Sequence, residues 1–256
     1  MSKWALILGG SSGIGLATAK KLSANGYHLL IVHRDRRSDL EQLEKEIETI
    51  KENGNQVLSF NFDATNEEKI TAHIDKFKEV LNDQKIDFMV HSLSRGNLKP
   101  LTSQDRLTKQ DLTLTMDAMA FSLSSWVNQL FDQHLFNLNA SIVTLTSAGS
   151  GKYWESYAAV GMAKAALETM TKYLAVELAP HHIRVNCIHA GITDTPSLRM
   201  IPGYEELKEK ASQKNPCKRM TTVEDVANVI FLLSTQESTW INGSLIHVDG
   251  GEHLIQ

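Results

Sequence analysis

WALILGGSSGIGLATAKKL, residues 4–22, decides how the chain folds. Trp4 to Leu8 is an uninterrupted apolar run of the kind a strand buried on both faces requires, and Gly9 to Gly15 reads as a tight turn. Ile14 to Asn25 then reads as a helix that Gly26 ends. Glycines remove side chains where backbone must approach a pyrophosphate, and the helix N-terminus adds N–H groups and a positive dipole. Gly9, Gly13 and Gly15 depart from the G-x-G-x-x-G spacing, but the strand–loop–helix setting still points to a dinucleotide. Gly9, Ser11, Ser12, Gly13, Ile14 and Gly15 are its candidate wall.

Downstream, strands and helices alternate. His28 to Val32 reads as a strand running into His33, Arg34, Asp35, Arg36 and Arg37. An acidic residue at the end of a second strand suits the ribose of NAD, whereas an Arg nearby accommodates the 2′-phosphate of NADP. Arg34, with a planar fork able to clamp a phosphate, favours NADP, and Arg36 or Arg37 could assist. The alternative is a charged turn in which Asp35 offsets the arginines. A helix is expected from Ser38, with Glu41 completing a capping box, to Gly54. Val57 to Phe62 forms a third strand. Asp63 after it could accept from the adenine amino group or cap the helix beginning near Glu67. Phe88 to Ser92 forms a fourth strand leading into HSLSRGNLKPL, and Thr108 to Asn137 reads as one long helix containing Asp117. Ser141 to Thr146, Arg184 to His189 and Ser244 to Val248 bring the strands to seven. The expectation is a single α/β domain over residues 1–256, a Rossmann-type, doubly wound, seven-stranded parallel sheet.

Composition narrows the function classes. A formal charge of -4 and a pI near 6.2 argue against a nucleic-acid surface, which normally carries a basic patch. Two cysteines, Cys187 and Cys217, in 256 residues fit free thiols in a reducing compartment. The N-terminal apolar run is too short for a signal peptide or a membrane span, so a cytoplasmic protein is expected. None of the ten histidines shows a metal spacing, and no metal is assigned.

The chemistry concentrates in SAGSGKYWESYAAVGMAK, residues 147–164. Tyr157 and Lys164 stand seven positions apart, nearly two helical turns, on one face and about 10 Å apart along the axis. A nearby ammonium favours the phenolate and would make Tyr157 a proton donor and acceptor near neutrality. A core aromatic beside a solvated lysine is the competing reading.

The glycine loop, Asp63, the strand ending in Ser147, the Tyr and Lys of the next helix, VNCIHAGITDT and the closing VDGG together resemble the short-chain dehydrogenase/reductase family over the whole chain. The common spacing there is Tyr-x3-Lys, but the residue four before Lys164 is Val160. Tyr157-x6-Lys164 is similar to the enoyl-acyl-carrier-protein reductases, and the segment from Lys152 to Leu178 looks most like their NADPH-using branch. His91, Ser92, Leu93 and Ser94 replace the usual NNAG, and Asp117 replaces the usual active-site Asn.

A physical reason accompanies that spacing. In ketone reduction the carbon that receives hydride also carries the oxygen needing a proton. In an enoyl thioester hydride arrives at C3, while charge develops on the thioester oxygen two bonds further along. Moving Tyr from four to seven residues before Lys shifts its origin by about 4.5 Å. Two bonds of roughly 1.5 Å each need a displacement of that order.

The resemblance implies that NADPH delivers hydride to C3 while Tyr157 stabilises the enolate oxygen. Lys164 would bind the nicotinamide ribose and bias Tyr157, and Ser147 occupies the family's active-site serine position. His33, Arg34, Asp63, Ala64, Ser92, Leu93, Gly191, Ile192, Thr193 and Thr195 complete the implied cofactor contacts; Ser94, Tyr153, Tyr157 and Leu198 are the implied substrate contacts. Residues 196–220 resemble the family's substrate-binding lid. The implied partner is an acyl thioester carried on acyl carrier protein or coenzyme A, and a homotetramer is expected. Two alternatives stay open: a carbonyl (3-ketoacyl) or 2,4-dienoyl thioester reductase, and a catalytically silent NADP-binding protein.

Overall fold

The computed structural model describes residues 3–255 and contains a seven-stranded, all-parallel sheet ordered β3-β2-β1-β4-β5-β6-β7. The strands are β1 (Lys3–Leu8), β2 (Tyr27–His33), β3 (Val57–Asn61), β4 (Ile86–His91), β5 (Phe136–Ser147), β6 (Arg184–Ala190) and β7 (Leu245–Val248). The helices are α1 (Gly13–Ser23), α2 (Arg37–Lys51), α3 (Glu67–Leu81), α4 (Lys109–Met116), α5 (Ser122–Asp132), α6 (Ala158–Glu177), α7 (Pro196–Arg199), α8 (Tyr204–Lys214) and α9 (Val223–Leu232). The strand order reverses between β1 and β4, which opens a crevice beyond their carboxyl ends, the usual ligand position in such sheets.

Strand β1 serves two cores because alternate side chains point to opposite faces. Trp4, Leu6 and Leu8 meet Ile74 and Phe77 of α3, Trp126 of α5 and Leu167 of α6 on one face. Ala5 and Ile7 meet Leu22 of α1, Ile47 of α2 and Ile230 of α9 on the other. Trp126 is fully buried and donates Nε1–H to the Ala64 carbonyl at 2.9 Å, tying α5 to the chain that follows β3.

Three sequence expectations need correction. The long helix breaks: α4 passes into a π-helical turn, Asp117–Phe121, then into α5, which ends at Asp132. His134 adopts φ +54, and Phe136 begins β5, so Asn137 lies in a strand. Apolar residues there fit either period, and no Gly or Pro marks the change. The Ser38–Glu41 capping box is absent: α2 starts at Arg37, and Ser38 Oγ donates to Asp39 instead. Asp63 does not cap α3; Asn66 does, accepting from the Lys69 N–H at 2.9 Å.

Candidate active site

The glycine loop is shaped by close backbone approaches. The Gly9 N–H donates to the Val32 carbonyl at 2.8 Å with Gly9 at φ +85, and a Cβ there would lie 2.6 Å from the Ser92 carbonyl oxygen. A Cβ on Gly15 would lie 2.0 Å from the Gly9 oxygen, so α1 can leave the loop this tightly only from glycine. Ser12 is the extended N-cap of α1, its side chain makes no capping bond, and the first turn carries no acidic residue. The orphan N–H groups of Gly13, Ile14 and Gly15 thus form a positive helix end. Ser11 lies at the rim. Gly13, at φ +51, faces the Thr195 side chain, which brings the chain after β6 over the loop.

At the opposite end of the crevice, Arg34 pairs with Asp63 Oδ2, and Arg95 reaches the same oxygen at 3.4 Å. Asp63 Oδ1 accepts from the Thr65 N–H and Oγ1–H at 3.1 and 2.7 Å. Burial pushes the Asp63 carboxyl up, but the Thr65 hydrogen bonds and the Arg34 charge outweigh it and hold the pKa below the usual carboxylate range. His33 is buried with Nδ1 2.6 Å from Asp35 Oδ2, and Ala64, three residues after β3, is also buried. Arg36 and Arg37 are exposed. Sequence reasoning missed Arg95, whose partner lies 32 positions away.

The reaction end is built by β5 and α6. Ser147 closes β5, a 3-10 turn covers Ala148–Ser150, and Tyr157 caps α6, its carbonyl accepting the Gly161 N–H at 2.8 Å. That bond keeps Tyr157 on the helical path although its ψ is 4°. Glycine inside a helix costs roughly 1 kcal/mol relative to alanine. At Gly161 it permits contact, because a Cβ would stand 2.5 Å from the Gly149 oxygen. A Cβ on Gly149 would stand 2.4 Å from Tyr157 Cε1, so the phenol ring lies directly over Gly149. Met116, Ala118, Met119, Val160 and Ala163 form an apolar cluster against the Tyr157 ring. Val160 is buried, and its Cγ2 lies 2.4 Å from where a Gly96 Cβ would be. The position that carries Tyr in the commoner spacing is thus filled by a buried Val160 packed closely against Gly96.

Lys164 is buried and its Nζ donates to the Leu145 carbonyl at 2.6 Å. Burial lowers its pKa to about 8, with Cys187 and Glu168 partly opposing. Burial raises the Tyr157 pKa, and hydrogen bonding to Ser147 partly offsets this. The expected acidification of Tyr157 by Lys164 is not found, since the ammonium is engaged at Leu145 and the phenol's acidity is set by burial and Ser147. The free site thus holds Tyr157 as a protonated donor.

Next to them, His91 is fully buried at the end of β4, and its Nε2–H donates to Ser122 Oγ at 2.8 Å, that hydroxyl donating in turn to the Ala118 carbonyl. Burial, with the Lys164 charge adding to it, pushes the His91 pKa down to about 3. The π turn that opens with Asp117 aims Ser122 at His91, a feature no local sequence signal announces. Beyond β4, Ser92 and Leu93 are half-buried and Ser94 is exposed. Asn97 fixes this loop by donating its N–H to Thr115 Oγ1 at 3.0 Å and its Nδ2–H to Asp111 Oδ1 at 3.0 Å.

After β6, Gly191 accepts the Thr193 hydroxyl at 2.9 Å, and the Ile192 N–H donates to Glu252 Oε2 at 3.2 Å. Thr195 caps α7, accepting from the Leu198 N–H at 3.2 Å. Asp194 between them holds the following segment: it accepts from Arg199 at 2.8 Å, Tyr204 at 3.0 Å and Lys208 at 3.3 Å. Hydrogen bonding by Arg199 contributes most to bringing the Asp194 pKa down to about 2. Tyr153, an implied substrate contact, is 89% exposed in the isolated chain.

This arrangement, a dinucleotide crevice with a buried lysine and a phenol at one end, has close relatives. The family described as Enoyl-(Acyl carrier protein) reductase matches residues 9–253. An enoyl-[acyl-carrier-protein] reductase [NADPH] of Staphylococcus aureus (strain MRSA252) is 30% identical over 247 residues, covering 95% of this chain and 93% of the relative. One described as [NADH], from Enterococcus faecalis, is 29% identical over 242 residues, covering 94% and 92%. The crystal structure of the Bacillus cereus enoyl-acyl carrier protein reductase with NADP+ and indole naphthyridinone superposes with a TM-score of 0.89 at 27% identity, covering 100% of this chain and 98% of that one. The chain belongs to the enoyl-(acyl carrier protein) reductase family within the short-chain dehydrogenases/reductases.

Proposed function

We propose that the protein reduces the trans-2 double bond of an enoyl thioester with NADPH, as an enoyl-acyl-carrier-protein reductase of fatty-acid synthesis in the cytoplasm. The observation that carries this reading is the position of Tyr157 at the start of α6, over Gly149, with Val160 packed against the Gly96 loop. NADPH would lie across the crevice, its pyrophosphate at the start of α1, its 2′-phosphate between Arg34 and Arg95, and its nicotinamide near Ile192. The bound nucleotide supplies hydride to C3. Tyr157 donates a hydrogen bond to the thioester oxygen as charge develops there, with Ser147 orienting the phenol. Lys164, released from Leu145, turns to the ribose hydroxyls. Uptake of a solvent proton at C2, as the enolate collapses to the thioester, completes saturation.

The segment 196–220, latched by Asp194, forms the lid over the acyl chain, with Leu198 facing it. A homotetramer is part of the proposal, supported by the exposed apolar side chains Leu114 of α4, Phe121, and Met162, Tyr173 and Val176 of α6. NADPH oxidation with crotonyl and acetoacetyl thioesters, each on acyl carrier protein and on coenzyme A, tests the assignment. Preferential turnover of the crotonyl thioester is expected. Turnover of the acetoacetyl thioester alone would replace it with ketone reduction.

A further inference from the structure

We propose that His189, His247 and Asp249 form a binding site for one divalent transition-metal ion of the Zn2+ class at the β6–β7 edge. The sequence reading assigned no metal, because these residues show no local ligand spacing; the sheet brings them together. His189 and His247 are register partners on adjacent parallel strands, so their side chains share a face, with ring centroids 4.5 Å apart. Asp249 follows β7, and its Oδ2 lies 3.9 Å from His247 Nδ1. One ligand atom from each of the three residues can be chosen so that all lie within 4.8 Å of one another.

Independent evidence for a missing partner comes from His189. Its side chain belongs to a residue only 7% exposed, yet Nδ1 has no hydrogen-bond partner among the described residues. A buried imidazole nitrogen left in this state carries a desolvation cost that a cation would relieve.

The surrounding groups resemble an outer ligand shell. The Asp249 carboxylate is fixed by the Gly251 N–H at 3.0 Å and the His253 N–H at 2.9 Å, and His253 Nδ1 lies 2.6 Å from Oδ2. His253 also stacks on His247, with centroids 3.8 Å apart. Tetrahedral ligands at about 2.0–2.1 Å from zinc stand roughly 3.4 Å from one another. The three ligand atoms, within 4.8 Å of one another, would have to draw in by about 1 Å to reach that spacing, and His247 is the exposed member of the set. Two imidazoles and a carboxylate suit Zn2+, with water as the fourth ligand. The ion would cross-link β6, β7 and the C-terminal turn.

The test uses the full chain stripped with a chelator, titrated with Zn2+ and read by calorimetry and by thermal unfolding. One ion per chain and a Tm that climbs with Zn2+ concentration are expected. His247→Ala should abolish both effects, and His253→Ala should weaken binding by about 10–100-fold. Cys217→Ser and the pair His181→Ala and His182→Ala should bind as the parent does. Co2+ substitution should give visible absorption without a thiolate charge-transfer band. Absence of binding, binding undiminished in His247→Ala, or binding lost in Cys217→Ser would each overturn the site.

Discussion

Lys164 gives the residue scale its clearest pH signature. Buried and bonded to the Leu145 carbonyl, its ammonium has a pKa lowered to about 8, so the free enzyme loses that charge as pH rises through about 8. Since kcat/KM reports groups of the free enzyme, it should fall above about pH 8. Lys164→Arg, whose guanidinium keeps its proton, should remove or displace that fall even if overall activity drops. A profile flat across this range in the parent would show that the lysine charge does not matter. At the other end of the crevice, Arg34→Ala should raise the Michaelis constant for NADPH by about tenfold or more, the scale of a lost charged hydrogen bond. The constant for NADH should change little. Parallel changes would mean that Arg34 holds Asp63 in place and reads no phosphate.

At the scale of elements, the turn before α6 is set by three residues in mutual contact, Gly149, Tyr157 and Gly161. Gly149→Ala adds a methyl group where the Tyr157 ring already lies, so the ring must move. A displacement near 1 Å can cost about 100-fold in rate. NADPH affinity should stay within a few-fold of the parent, and an unchanged kcat would mean that the ring position is not critical. This contact also marks what the sequence discloses. Strand β1, the glycine loop and α1 were legible because an apolar run, glycines and a helical period coincide there. The Tyr157-x6-Lys164 spacing was legible by resemblance. The break at residues 133–136 was hidden because Leu135 and Phe136 fit a helix or a strand equally well. Arg95 and Asp194 were hidden for a different reason: their roles depend on partners supplied by the fold, Asp63 for one and Arg199, Tyr204 and Lys208 for the other.

For the whole molecule, the parallel sheet was readable from the alternation of strands and helices, and its order follows from the crossovers. The buried polar centre beneath it was not readable. His91 was met in the sequence as one histidine among ten, but the fold buries it fully against Ser122. Its pKa falls from 6.5 to about 3 on folding, so between those values the unfolded chain holds a proton that the native state lacks. This contribution to stability is present above pH 6.5 and is lost as pH falls toward 3. The denaturant midpoint should therefore drop steadily across that window. His91→Gln should show a shallower slope whatever its absolute stability, and an equal slope would assign the acid sensitivity to other groups.

In the proposed reaction the Tyr157 phenol serves an oxygen remote from the carbon being reduced. Tyr157→Phe removes that hydroxyl and leaves the ring in place over Gly149. Single-turnover oxidation of NADPH with a crotonyl thioester should slow by about 100-fold or more, the scale of a lost donor to a developing oxyanion, while NADPH binding stays at the parent's affinity. A Tyr157→Phe enzyme that reduces the enoyl thioester at the parent's rate would contradict the account.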